Sequence, residues 1–254
     1  MVIHNAPILI DTHIHGNSDL KKESGKGRYY FNYLEPENLQ EQLEKCRLSG
    51  CIVTQHVSRT NYMSKDSRIK EFYSHESNII TGNEISEDLE ILVKQRLYKI
   101  SCHIMYLGKL KNVSEGDVEY GSWLCHATNA NDPLKKFESD AKVIRTFFSK
   151  YDFKLVESTK GLTDILSIKA KYKNFKVLLG SDSHPDPKSG RLDSRNRFGV
   201  QGIMLTEADD FNLRTFIDSL KNNSIEYFQK LGNNFYVTST VRDKIKVIRN
   251  PDFV

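Results

Sequence analysis

The chain has 254 residues, 38% of them apolar and 28% charged, and a formal net charge of +4. That length can bury a large core within one domain, and no apolar run approaches the ~18 residues that a membrane span needs. The charge admits an anionic substrate but is too small to mark a nucleic-acid surface by itself. The opening segment, MVIHNAPILID, has no basic stretch followed by a long apolar one, so no secretory signal is expected. Cys46, Cys51, Cys102 and Cys125 show no CxxC spacing. Reduced thiols in a cytoplasmic protein are expected.

Ala6–Asp11 (APILID) reads as a short buried strand. Pro36–Ser49 carries Leu39, Leu43 and Cys46 at helical spacing, with Pro36 in the first turn and Gly50 just past the end. Cys51–Thr54, Asn78–Thr81, Tyr98–Cys102 and Ser122–Cys125 are the next strands. A helix is predicted from about Pro133 to Lys150, with Asp132 as its N-cap and Phe137, Ala141, Ile144, Phe147 and Phe148 as its apolar stripe. Phe153–Val156, a helix near Leu162–Lys173, and the strands Lys176–Leu179 and Gln201–Leu205 follow. A helix near Phe211–Asn222 comes next, and Asn233–Val254 reads as a hairpin or flap. Strands alternating with helices imply a mostly parallel sheet, closed or nearly closed as a barrel.

The polar residues that follow the apolar runs carry the chemistry. ILID leads into Thr12, His13, Ile14 and His15; CIVT into Gln55 and His56; NIIT into Gly82, Asn83 and Glu84. KISC leads into His103, SWLC into His126, and VLLG into Ser181, Asp182, Ser183 and His184. In a β/α barrel the C-terminal strand ends converge on one face. One histidine after a strand is ordinarily a half-buried polar residue, but independent structural histidines would not recur at converging ends. H-x-H and D-x-H put alternate side chains on one face of an extended segment, within reach of one point. Imidazoles and carboxylates without thiolate suit Zn, Mn or Fe. The same alternation turns Cys102 and Cys125 away from the site, into the core.

In this order, DTHIH, TQH, GNE, CHIMYLG, LCHA and GSDSH resemble the polymerase and histidinol phosphatase (PHP) family of metal-dependent phosphoesterases, from about Leu9 to Leu220. Amidohydrolases also open with H-x-H, but they lack the G-x-E element and end in a lone Asp. The resemblance implies an α/β fold, a distorted (β/α)7 TIM-like barrel with a short C-terminal extension. Residues 1–225 would form the barrel, and 226–254 an extension packed on it. It also implies two or three divalent ions, Zn, Mn or Fe. One would take His13, His15, Glu84 and Asp182; a second would share Glu84 and add His103 and His126; a third would take His56, His184 and Asp19. Asp19 lies one residue closer to His15 than the family's usual spacing. TQHV replaces the usual TDHD, CHA replaces AHP, and the family's longer insertion between the fifth and sixth motifs is missing. The third site departs most from the pattern.

Such a cluster implies hydrolysis of a phosphomonoester or nucleotide by a metal-bridging hydroxide, held by Glu84 and Asp182 with His184 adjacent. Positive side chains would clamp the phosphate: Arg59, Lys160, and Lys188, Arg191, Arg195 and Arg197 in the loop after His184. Two other readings stay open. A PHP-type nuclease would cut DNA or RNA with the same ions, although the mild charge and the lack of an aromatic-basic stripe weigh against it. A regulatory metal-binding domain would work within a larger assembly, with the C-terminal extension meeting a protein partner. The expected partner is otherwise a phosphorylated small molecule or a nucleic-acid end, with no membrane.

Overall fold

The computed structural model describes residues 7–17, 34–57, 72–107, 121–129, 132–172, 175–185, 191–192, 197–241 and 244–249. The chain enters on β1 (Ile8–Asn17), crosses through α1 (Pro36–Cys46) to β2 (Gly50–Val57), and continues to β3 (Ile79–Val93) and β4 (Arg96–Tyr106). After β5 (Ser122–Leu124) come α2 (Pro133–Lys136), α3 (Ala141–Tyr151), β6 (Leu155–Ser158), α4 (Leu162–Lys171) and β7 (Lys176–Leu179). β8 (Gln201–Leu205), α5 (Leu213–Asn222), β9 (Ile225–Leu231), β10 (Asn234–Val241) and β11 (Lys244–Arg249) complete the described elements. All strands belong to one mixed sheet, ordered β11-β10-β9-β8-β1-β2-β3-β4-β5-β6-β7. Among the described residues no helix is long and apolar enough to cross a membrane.

The ladder itself does not close, since β7 and β11 are its two ends. Beyond β7, however, the chain returns to β1. Ile14 and Ser183 form a parallel bridge. The Asp182 amide donates to the His13 carbonyl at 2.9 Å, and the His15 amide to the Ser183 carbonyl at 2.8 Å. Strands β1 to β7 are therefore curled enough for their two margins to touch.

The sheet is mixed, not mostly parallel. β1, β2 and β3 are mutually parallel, as are β5, β6 and β7, but β4 runs antiparallel to both of its neighbours. The cause is a hairpin that joins β3 directly to β4, where parallel strands would need a longer crossover. Lys94 and Gln95 turn the chain with φ of 48° and 64°. Two left-handed residues in succession give the tight turn whose twist matches that of paired strands. Neither residue is the Asn or Gly that normally announces such a turn.

Strand alternation divides the core. Along β1, Ile8 and Ile10 join a cluster built on Trp123, Phe147 and Phe216, and Leu9 one with Leu39 and Leu43 of α1; the register shift between Asp11 and Ile14 brings Ile14 to Leu9's side. Burial on both faces explains why the central strands are continuous apolar runs. The single helix predicted from Pro133 to Lys150 is two helices. α2 stops at Lys136, and Asp140 caps α3 by accepting the Lys142 and Val143 amides. Asp132 makes no side-chain cap. The segment expected as an extension from residue 226 runs antiparallel, β9 to β11, and lengthens the same sheet outward from β8. Buried Tyr227 anchors it by donating to the Val177 carbonyl at 2.8 Å.

Replacing Lys94–Gln95 by Asn-Gly should relieve the left-handed strain and stabilise the protein by about 1 kcal/mol. Denaturant unfolding checks this: the midpoint should rise with the slope unchanged. A lower midpoint would contradict the turn geometry.

Candidate metal centre

His13 and His15 lie inside β1, on the face opposite Ile14, and both are fully buried. β2 brings His56 directly beside Glu84 of β3. On the other side of β3, His103 sits opposite Ser86, so it reaches Glu84 as a diagonal neighbour. His126 follows β5, and Asp182 and His184 follow β7. The ligand candidates thus lie within strands as well as at their ends, because β1, β3 and β4 are longer than their apolar runs. His126 (φ 31°) and Asp182 (φ 55°) adopt left-handed backbone conformations, which the surrounding contacts must hold against local strain.

Four donor atoms converge first. His13 Nε2 lies 3.2 Å from His15 Nε2, 3.2 Å from Glu84 Oε2 and 3.8 Å from Asp182 Oδ1. His15 Nε2 lies 3.3 Å from Glu84 Oε2 and 3.1 Å from Asp182 Oδ1. Donors placed tetrahedrally around an ion at 2.0–2.2 Å are separated by about 3.4 Å. The five separations are those of such a polyhedron. A pure hydrogen-bond network satisfies them poorly, since each imidazole Nε2 offers at most one proton or one lone pair to three neighbours.

A second set shares the same carboxylate. Glu84 Oε1 lies 2.5 Å from His103 Nδ1 and 3.2 Å from His126 Nε2, and those two nitrogens are 3.1 Å apart. One Glu84 oxygen therefore faces each set. Around His15 a third grouping forms with His56 and His184. Here the rings stack, His15 on His184 at 3.9 Å and His15 on His56 at 4.4 Å between centroids. Asp19, expected at this third position, lies outside the described residues.

Carboxylates behind the ligands fix their rings. His13 Nδ1 donates to Glu157 Oε2 at 2.8 Å, and His126 Nδ1 to Asp132 Oδ2 at 3.0 Å. Asp11 Oδ1 accepts the amides of His13 at 3.1 Å and Ser181 at 3.0 Å. The sequence reading did not assign these three. Glu157 obeys the same rule as the ligands, a carboxylate directly after an apolar run, and could have been found by it. Asp132 precedes a proline, and that local pattern reads equally well as a helix cap. Cys102 and Cys125 are buried in the core, and all four cysteines are free.

The electrostatics show a site short of positive charge. Burial works against the charged form of Glu84, yet bonds from His103, His126 and His13 hold its pKa well below the carboxylate range. Burial also opposes a charge on His13, but Glu157 and Glu84 prevail and raise its pKa well above normal. His126 is raised to about 10 by Asp132 and Glu84, again against burial. His15 goes the other way, to about 3, because burial and the neighbouring His184 and His56 outweigh its bond to Asp182. Burial pushes Asp11 up to about 7 despite its bonds from Ser181. Protons on His13 and His126 supply the cationic charge that a divalent ion would otherwise bring, so metal binding must release protons.

The basic residues expected at the phosphate are placed as follows. Lys160 donates to the Thr128 carbonyl and Arg197 to the Thr159 carbonyl, both near the C-terminal end of β6. Arg191 lies 3.5 Å from Glu41 of α1. Arg59, Lys188 and Arg195 lie outside the described residues. A cleft of about 470 Å³ opens beside His103, His126 and Asp182, and Ser86, Glu87, Asp88, Ser101 and Asp132 are among its lining residues. No family model matches the chain.

The metal-free protein should lose stability as the pH rises above 6.5, whereas below 6.5 the contributions of His15 and Asp11 oppose one another. His15 has a folded pKa near 3 against 6.5 unfolded, so its contribution falls as the pH drops from 6.5 towards 3. His126 has a folded pKa near 10 against 6.5 unfolded, so stability falls as the pH rises from 6.5 towards 10. Thermal melts of chelated protein check it, and a melting temperature that does not fall between pH 6.5 and 10 would contradict the charge on His126. With metal supplied, elemental analysis after gel filtration should find at least two ions per chain. Glu84→Gln should deplete both sites together, whereas Asp19→Asn should deplete the content least.

Proposed function

We propose that the protein is a metal-dependent phosphoesterase of PHP type, hydrolysing a phosphomonoester or nucleotide at a cluster of two or three divalent ions. The observation that carries the reading is the buried Glu84, with one oxygen in each of two convergent donor sets. His13, His15, Glu84 and Asp182 would hold one ion; Glu84, His103 and His126 a second; His56 and His184 belong to a third. The donor chemistry, imidazole and carboxylate without thiolate, fits Zn, Mn or Fe. We read the curled β1–β7 region as the body of a distorted TIM-like barrel, with the strands from residue 226 onward as an extension. The free thiols fit a cytoplasmic setting.

When bound, such ions supply an acidified water and a Lewis-acid hold on phosphoryl oxygens. The protein's own part is geometric. With an ion bound, His13 and His126 would release their Nε2 protons and present lone pairs to it, while their Nδ1 protons stay hydrogen-bonded to Glu157 and Asp132. Glu84 fixes the spacing of the two sets through one rigid carboxylate. The inner donors are buried, whereas the side chains of His56, His103 and His184 are 33%, 36% and 43% exposed. A phosphate must therefore approach from that open side. Arg197 and Lys160, held at the nearby strand end, and Arg191 are candidates to clamp it. The acidic lining of the adjoining cleft favours a small ester whose organic part carries no further negative charge, and it disfavours a polynucleotide backbone.

The test is a screen of phosphomonoesters, nucleotides and short oligonucleotides with Mn or Zn supplied. Monoester hydrolysis is expected. Chelation should abolish it, and Glu84→Gln should lower kcat by at least about 100-fold, the scale at which electrostatic contributions of this kind act. Cleavage of oligonucleotides alone would favour the nuclease. Two bound ions with no hydrolysis at all would favour a regulatory domain.

A further inference from the structure

We infer that Glu157 is a positioning residue that couples the two metal sets, holding a ligand of each with one carboxylate. The inference rests on the metal-centre reading above. Glu157 ends β6 and is fully buried. Its Oε2 accepts the His13 Nδ1 proton at 2.8 Å and lies 3.3 Å from the donating backbone amide of His126. Its own carbonyl accepts the Ala127 amide at 2.9 Å, and Thr12 Oγ1 lies 3.5 Å from Oε1. His13 belongs to the first set and His126 to the second.

Glu157 is not itself placed as a ligand of the first set. It meets His13 at Nδ1, and the opposite ring nitrogen, Nε2, points into the cluster. When His13 is neutral, as metal binding would require, this contact keeps the remaining proton on Nδ1 and leaves Nε2 with a free lone pair. On the His126 side the contact is with the main chain. Together with the Ala127 bond, it clamps residues 126 and 127 to β6 while His126 holds its left-handed φ of 31°. Space for the carboxylate is reserved at Gly180, where any Cβ would collide with Glu157 Oε1 and crowd His13 Cβ. Asp132 provides the internal contrast. It supports His126 Nδ1 and, among the described contacts, no residue of the first set.

The experiment measures Mn²⁺ affinity by equilibrium dialysis, and the visible spectrum of Co²⁺-loaded protein, for wild type, Glu157→Gln, Glu157→Leu and Asp132→Asn. Loss of a carboxylate behind a ligand typically weakens metal binding 10–100-fold. Glu157→Gln keeps an oxygen acceptor but loses the charge, so both ions should bind about tenfold more weakly. Glu157→Leu removes the acceptor, and both should weaken by about 100-fold, with the Co²⁺ bands altered. Asp132→Asn should weaken one ion only. If Glu157→Leu does not fold, the glutamine variant decides alone. Wild-type affinity at either ion in folded Glu157→Gln would overturn the coupling. Failure of the wild type to bind two ions would overturn the metal reading instead.

Discussion

Two main-chain hydrogen bonds, Asp182 to the His13 carbonyl and His15 to the Ser183 carbonyl, hold the segment after β7 against β1. The first donor set depends on that seam. β1 carries His13 and His15, and Asp182 reaches them only because its strand returns to the far margin of the curled region. The left-handed backbone at Asp182 is the local strain that this return demands. Buried main-chain groups must be paired, and the Asp11 carboxylate, which accepts the His13 and Ser181 amides, ties the same two segments together.

Around the site, carboxylates outnumber any cationic side chain. Glu84, Asp182, Glu157 and Asp132 meet imidazoles and no lysine or arginine among the described contacts. Buried carboxylates are tolerable only when opposite charge is close. Histidine can provide it as a proton or, with the same ring turned lone-pair inward, by helping to bind a metal. The opposed pKa displacements follow: burial, helped by the neighbouring rings, outweighs the acids at His15, whereas Asp132 and Glu84 outweigh burial at His126.

Much of the donor set was legible in the sequence because strands encode direction locally. An i, i+2 pair such as His13 and His15 shares a face whatever the fold, and the apolar runs before Glu84, His103, His126 and Asp182 locate them on strands. Topology was less legible. Lys94 and Gln95 carry no turn signature, so the β3–β4 hairpin and the reversed β4 could not be foreseen. Asp132 stands at the N-cap position its local context suggests, but its carboxylate turns to His126, six residues earlier, a partner that context does not reveal. The pairing of β9 with β8, and of β10 and β11 in turn beyond it, joins elements by tertiary contacts that no local pattern encodes.

The gradient of exposure across the cluster also sets a kinetic order. His13, His15 and Glu84 are sealed from solvent, whereas the outer imidazoles of His56, His103 and His184 are partly open. An ion among the inner donors would leave only after several bonds broke in a water-poor space, while one at the stacked outer rings could trade ligands with solvent one at a time. Residence times would then differ between positions, and the number of ions carried by a given preparation would record its history of chelators and washing as much as its affinities.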